Sequence, residues 1–120
     1  MGRMERINRQ MQKEVSIIIQ QELGDPRLQF VTITSADVSK DLQHAKISFS
    51  VMGAAKEVEK SQRALDAASR VIRRHIGQRM DMRYTPEIFF VYDDSVERGA
   101  RIEATLKEIN DELEKNQPDR

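Results

Sequence analysis

The sequence predicts an α+β fold with helices packed on one side of a small three-stranded sheet. Three observations lead there. Three stretches repeat apolar side chains at three- and four-residue intervals, the mark of a helix with one buried face. Between the first two lie a β-branched run and a run alternating between apolar and polar residues, which together read as a hairpin. A short, continuous apolar run separates the second and third helical stretches. At 120 residues the chain is one domain's worth, on the order of 100–150 residues. We expect one domain over 1–115 and a fraying tail over 116–120.

Met4, Ile7, Met11, Val15 and Ile18 share one helical face and define the first helix. Gly24 is its stop signal and Pro26 bars continuation. From Phe30 to Val38 the content of Val and Thr rises, as in a strand. After the turn at Ser39-Lys40-Asp41, Ala45, Ile47, Phe49 and Val51 alternate with Lys46, Ser48 and Ser50, a strand with one wet face. Gly53 ends it. The longest helix spans about 56–78, with Val58, Leu65, Ala68, Ile72 and Ile76 inward. Pro86 disfavours helical backbone at Thr85. Ile88 to Tyr92 then reads as a strand covered on both faces, parallel to one hairpin strand because a helix intervenes. Asp94 and Glu97 resemble a capping box opening a last helix, whose expected core face is Ile102, Leu106, Ile109 and Leu113.

Composition excludes several classes. Cysteine is absent, so disulfides, thiolate catalysis and Cys-ligated zinc are excluded together. No apolar run approaches the roughly 20 residues that span a bilayer. The charged stretch Met1 to Arg6 gives no sign of a signal-peptide core, so a cytoplasmic protein is expected. His44 and His75 lack ligand spacing with any carboxylate pair, and Asp93, Asp94 and Glu97 are explained by a helix cap without a cation. No Walker sequence or G-x-S-x-G is present. No catalytic residue, metal or cofactor is expected.

Twenty basic residues balance twenty acidic ones, yet they are not mixed evenly. Lys60 to Arg83 holds seven basic residues against two acidic, a surplus of +5. Glu87 to Arg120 holds five against ten, a deficit of −5. A localised positive patch is the footprint of a polyanion partner. Lys60, Arg63, Arg70, Arg73, Arg74, Arg79 and Arg83 are the candidate RNA contacts. Six of these seven are arginine, whose fork suits paired phosphate oxygens. The plainer alternative is a solvated helix face with local pairs such as Asp66 to Arg70. Arg6 and Arg9, away from Ile7 and Met11, extend the candidate surface or serve solubility. Among the aromatic residues, Phe49 and at least one of Phe89 and Phe90 read as core, and Tyr84 as exposed. Recognition would then rest on phosphates and shape, with little base readout.

Several stretches together resemble the bacterial ribosome-binding factor A family. They are Asp25-Pro26-Arg27-Leu28, Ser39-Lys40-Asp41-Leu42, Ala45-Lys46-Ile47, Ala64-Leu65 through Ile72-Arg73, and Arg83-Tyr84-Thr85-Pro86-Glu87-Ile88-Phe89-Phe90. Asp93-Asp94-Ser95 and Gly99-Ala100-Arg101-Ile102 follow in the same order. The resemblance implies a type II KH-like domain with a helix-kink-helix, Ala-x-Gly, in place of the GxxG loop. Here the equivalent is Ala68-Ser69-Arg70, with arginine in the glycine's place. The resemblance further implies a non-enzymatic assembly factor that binds the free, immature 30S ribosomal subunit and 16S rRNA. By the same resemblance such a factor is expected to assist late maturation and rRNA processing, to matter most in the cold (cold shock), and to be linked to assembly GTPases. Nothing in the sequence suggests an obligate dimer, so a monomer is expected. The competing class is a small protein–protein adaptor whose arginine-rich helix face binds an acidic protein.

Overall fold

Helix α1, Arg3–Gln21, buries Met11, Val15, Ile18 and Ile19, the face that the three- and four-residue spacing marks. It ends where Gly24 takes φ +59°, a left-handed backbone that glycine adopts without steric cost. The computed structural model describes residues 2–115, without the side chains of Val96 and Lys115. The expected tail over 116–120 lies outside the described residues. Pro26 opens a single 3-10 turn, Pro26–Leu28, capped by the Asp25 carboxylate, which accepts the Arg27 N–H at 2.9 Å. The Arg27 guanidinium beside it lowers the Asp25 pKa.

Strands β1, Val31–Val38, and β2, His44–Val51, pair antiparallel from Val31↔Val51 to Val38↔Ala45. An irregularity between Ile33 and Ser35 disturbs the ladder. There the Gln12 amide of α1 donates to the Ile33 and Thr34 carbonyls, at 3.3 and 3.2 Å. Asn8 accepts the Val38 N–H at 2.9 Å, so α1 is tied to β1 by polar contacts as well as by packing. Helix α2, Ala55–Arg79, returns the chain to the other side of β2. Strand β3, Glu87–Tyr92, then pairs parallel with β2, from His44↔Glu87 to Phe49↔Tyr92. The sheet order is β1-β2-β3, with the parallel pair that the helical crossover predicts.

The core lies between α1, α2 and one face of the sheet. Met11, Val15 and Ile18 meet Ile47 and Phe49 of the central strand and Leu65, Ile72 and Ile76 of α2, all fully buried. Tyr92 meets Phe49 edge-on, with ring centroids 5.8 Å apart. Ser61, a buried polar side chain, donates to the Arg27 carbonyl at 3.4 Å, which removes the cost of an unpaired hydroxyl.

Three expectations change. First, β3 is not covered on both faces. Ile88 and Phe90 are buried, while Phe89 and Val91 alternate onto the open face of the sheet. Second, no capping box forms at helix α3, Ser95–Lys115. Asp93 accepts the Ser95 N–H and the Thr34 hydroxyl, and the Ser95 contacts chiefly lower its pKa. Asp94 pairs with Arg98, and Glu97 accepts the Tyr92 hydroxyl at 2.6 Å, raising the Tyr92 pKa. Third, none of the described side chains of α3 belongs to the core. Ile102, Leu106, Ile109 and Leu113 are 47–60% exposed, and α3 projects from the body without packing along it. The radius of gyration, 19.3 Å, exceeds the roughly 14 Å of a compact chain this long. Periodicity showed which face of α3 is apolar, but nothing in it says that a partner element exists.

Replacing Leu106 and Leu113 together with alanine should therefore shift stability by no more than about 0.5 kcal/mol each way, as for surface sites. Thermal unfolding checks it. A loss in the roughly 2–5 kcal/mol range of core truncations would mean that α3 is packed on the body.

Candidate nucleic-acid interface

At about 100° per residue, the inward side chains of α2 (Ser61, Ala64, Leu65, Ile72, Ile76) occupy one sector of the helix. Lys60, Arg63, Arg70, Arg73 and Arg74 fall outside it, and all five are exposed. Around Ala68, where the resemblance implies a kink between two helix segments, the backbone keeps helical conformation. Residues Ala68, Ser69 and Arg70 all lie within α2, and Ser69 donates to the Asp66 carbonyl one turn back. Arginine in the glycine's place removes the flexible residue, and alanine favours helix. The result is a run of cations carried on one helix.

The cations differ in what holds them. Arg70 and Arg74 have no carboxylate partner among the described residues, and neither has Lys60. The Asp66 to Arg70 pair does not form; Asp66 accepts the Gln62 amide at 3.1 Å. Arg63 reaches Glu59 at 2.5 Å in an exposed i, i+4 pair. Arg73 donates through Nη2 and Nε to the Thr85 carbonyl, at 2.9 and 3.3 Å. Arg83 lies over the Tyr84 ring, 5.4 Å from its centroid. Arg79 falls in the inward sector at the last turn of α2, where it pairs with Glu14 of α1 at 2.5 Å. It therefore braces the α1–α2 packing and is set apart from the outer stripe. Arg6 and Arg9 are exposed on the outer face of α1.

Beyond the end of α2 the chain folds back closely. A Cβ on Gly77 would stand 2.8 Å from the Thr85 hydroxyl, so a larger residue there would force the Thr85 side chain to shift. Pro86 is buried there, and the Glu87 N–H donates to the Gln43 carbonyl at 2.8 Å. The Ser39–His44 turn opposite is held by its own bonds. Asp41 accepts the Ser39 hydroxyl at 2.6 Å and the Gln43 N–H at 3.1 Å, which lowers its pKa. Leu42 is held at φ +63°, a conformation that costs of order 1 kcal/mol or more in a non-glycine residue. Between turn and connection lies a cleft of about 650 Å³ that Arg73, Arg83, Tyr84 and His44 line.

Tyr84 is 70% exposed, and Phe49 and Phe90 are buried, as the sequence leads one to expect. Phe30 and Phe89 are exposed too, which sequence reasoning missed. For Phe89 the signal was present. In a period-two strand it must oppose Phe90, and it stacks against His44 at 5.8 Å on the open face. The described residues contain no group of three His, Asp or Glu side chains placed to hold a metal ion.

A small KH-like α+β domain with an exposed arginine stripe on its longest helix has the electrostatic footprint of a compact polyanion-binding module. The comparisons narrow the class to a family. The model of the family described as ribosome-binding factor A matches residues 3–106. The chain is 46% identical over 112 residues to ribosome-binding factor A of Halothermothrix orenii, covering 93% of this chain and 92% of that one. It is 49% identical over 111 residues to that of Acetivibrio thermocellus, covering 92% and 90%. The crystal structure of ribosome-binding factor A from Thermus thermophilus superposes with TM-score 0.68 at 26% identity, over 77% of this chain and 97% of that one. A Thermus thermophilus homology model fitted into a cryo-EM map of a 30S complex gives 0.61 at 26% identity, over 72% and 91%. The chain belongs to the ribosome-binding factor A family.

Proposed function

We propose that this chain is a non-enzymatic assembly factor that docks on the free, immature 30S subunit by laying the outer face of α2 on 16S rRNA. The observation that carries this is the pair Arg70 and Arg74, exposed on α2 with no carboxylate partner among the described residues. The Thermus thermophilus relative fitted into a 30S complex supports the choice of partner. Lys60, Arg63, Arg73 and Arg83 extend the contact along and beyond the helix, and Arg6 and Arg9 add to it from α1. The protein acts as a monomer in the cytoplasm; no described helix is long and apolar enough to cross a membrane. Its action is binding alone. It favours one rRNA arrangement over another only to the extent that it binds the two with different affinity. The acidic outer end, with Glu103, Glu108, Asp111, Glu112 and Glu114, is repelled by phosphate and points away from rRNA.

Sucrose-gradient fractionation of a native lysate at low and high salt tests the proposal. The expected result is co-sedimentation with free 30S subunits that is lost at high salt. Sedimentation at the top of the gradient at both salts would contradict it. An adaptor that binds an acidic protein would keep its partner in RNA-free extract.

A further inference from the structure

The cleft between the Asp41–His44 turn and the Arg83–Glu87 connection is not explained by the phosphate-binding stripe. A row of cations needs no cavity, whereas this one measures about 650 Å³, inside the range of small-molecule sites. Both walls are fixed before anything binds. The turn is closed by the Asp41 contacts and by the Ser39 N–H donating to the His44 carbonyl at 2.8 Å. The connection is locked to α2 by Arg73 and joined to the turn by the bond from Glu87 to Gln43. The lining combines two rings, His44 and Tyr84, with two guanidinium groups, Arg73 and Arg83, and hydrogen-bonding groups on Asp41, Gln43, Thr85 and Glu87. An aromatic platform beside cations matches a nucleotide, which presents a flat base and an anionic phosphate.

Tyr84 is the centre of this arrangement. The Arg83 guanidinium lies over its ring, 5.4 Å from the centroid, while the ring as a whole remains 70% exposed. A base has open ring surface to stack on, with Arg83 alongside. Arg73 spends two N–H groups on one carbonyl, and its other guanidinium donors are unspent. Asp41 and Glu87 place acceptors at the rim, where they suit base amino groups and not phosphate. Arg73 also lies on the outer face of α2, so the cleft continues the stripe.

We propose that this cleft takes one unpaired nucleotide of the bound RNA, its base stacked on Tyr84 and its phosphate held by Arg73 and Arg83. The inference rests on the RNA reading of α2 and adds to it a single-nucleotide pocket at the helix's end. The two contributions differ in salt response. Phosphate contacts release counterions and steepen the salt dependence, whereas stacking releases none.

The test is the affinity of the full chain for purified free 30S subunits over a salt series, comparing wild type with Tyr84→Leu and Tyr84→Phe. Tyr84 is exposed, so both variants should fold, and circular dichroism verifies that they do. Tyr84→Leu should weaken binding roughly five- to hundredfold at every salt concentration with the log–log slope unchanged. Tyr84→Phe, which keeps the ring, should bind like wild type. Unchanged affinity for Tyr84→Leu would overturn the pocket while leaving the stripe standing. So would a flattened slope, or a Tyr84→Phe loss equal to that of Tyr84→Leu. A wild-type protein that does not bind 30S subunits would overturn the RNA reading itself and the pocket with it.

Discussion

Reversing the charge at Arg70 and Arg74 together will weaken binding to free 30S subunits by about tenfold or more. Both side chains are exposed, and neither is held by a carboxylate among the described residues, so each is available to a phosphate oxygen. Glutamate removes the attraction and adds repulsion. The fold should survive, because neither position contributes to the core and glutamate is a good helix former. Circular dichroism and thermal unfolding separate a binding defect from a folding one. Arg63→Glu, at a cation already paired with Glu59, should have the smaller effect of the two tests. A folded double variant with wild-type affinity would rule out the stripe as the binding face.

Phe49→Ala will cost about 3–5 kcal/mol of folding stability, the usual range for a large buried ring. Phe49 is fully buried on the central strand, with hydrogen-bonded neighbours on both sides and Tyr92 edge-on. The surrounding strands and helices are fixed by their own hydrogen bonds, so the cavity cannot collapse freely. Against the roughly 5–15 kcal/mol that holds a typical domain together, this loss is a large fraction. Thermal unfolding should show a midpoint lower by on the order of 10–20 °C. A decrease of about 2 °C or less would show that the ring is not at the centre of the core.

Where the physics is local, the sequence was legible. Gly24 and Pro26 mark a real helix end, the alternation through Phe49 marks the central strand, and the helix between the last two strands makes them parallel. The arginine stripe was legible for the same reason, since a helical wheel separates Lys60, Arg63, Arg70 and Arg74 from Leu65, Ile72 and Ile76. What failed depended on a second element. The periodicity of α3 identifies an apolar face but not whether anything covers it. That Arg79 pairs with Glu14 of α1 was likewise not legible, because the two lie 65 residues apart. The sequence pointed to Asp94 and Glu97 as the cap of α3, whereas Asp93 accepts the Ser95 N–H and is also reached by the Thr34 hydroxyl of β1 at 2.8 Å. The cleft at Tyr84 was invisible for a similar reason. Its walls come from segments about forty residues apart, and they meet only because β2 and β3 are paired in parallel.

The central claim is that the outer face of α2 touches rRNA phosphates, and counterion release measures this directly. The dissociation constant for free 30S subunits should be followed from low to moderate salt for the wild type and for the Arg70→Glu, Arg74→Glu double variant. Wild-type affinity should fall steeply and linearly on log–log axes as salt rises. For the variant the slope should be shallower by about 1.4–1.8, or roughly 0.7–0.9 for each phosphate that is no longer neutralised. Equal slopes for the two proteins would contradict it.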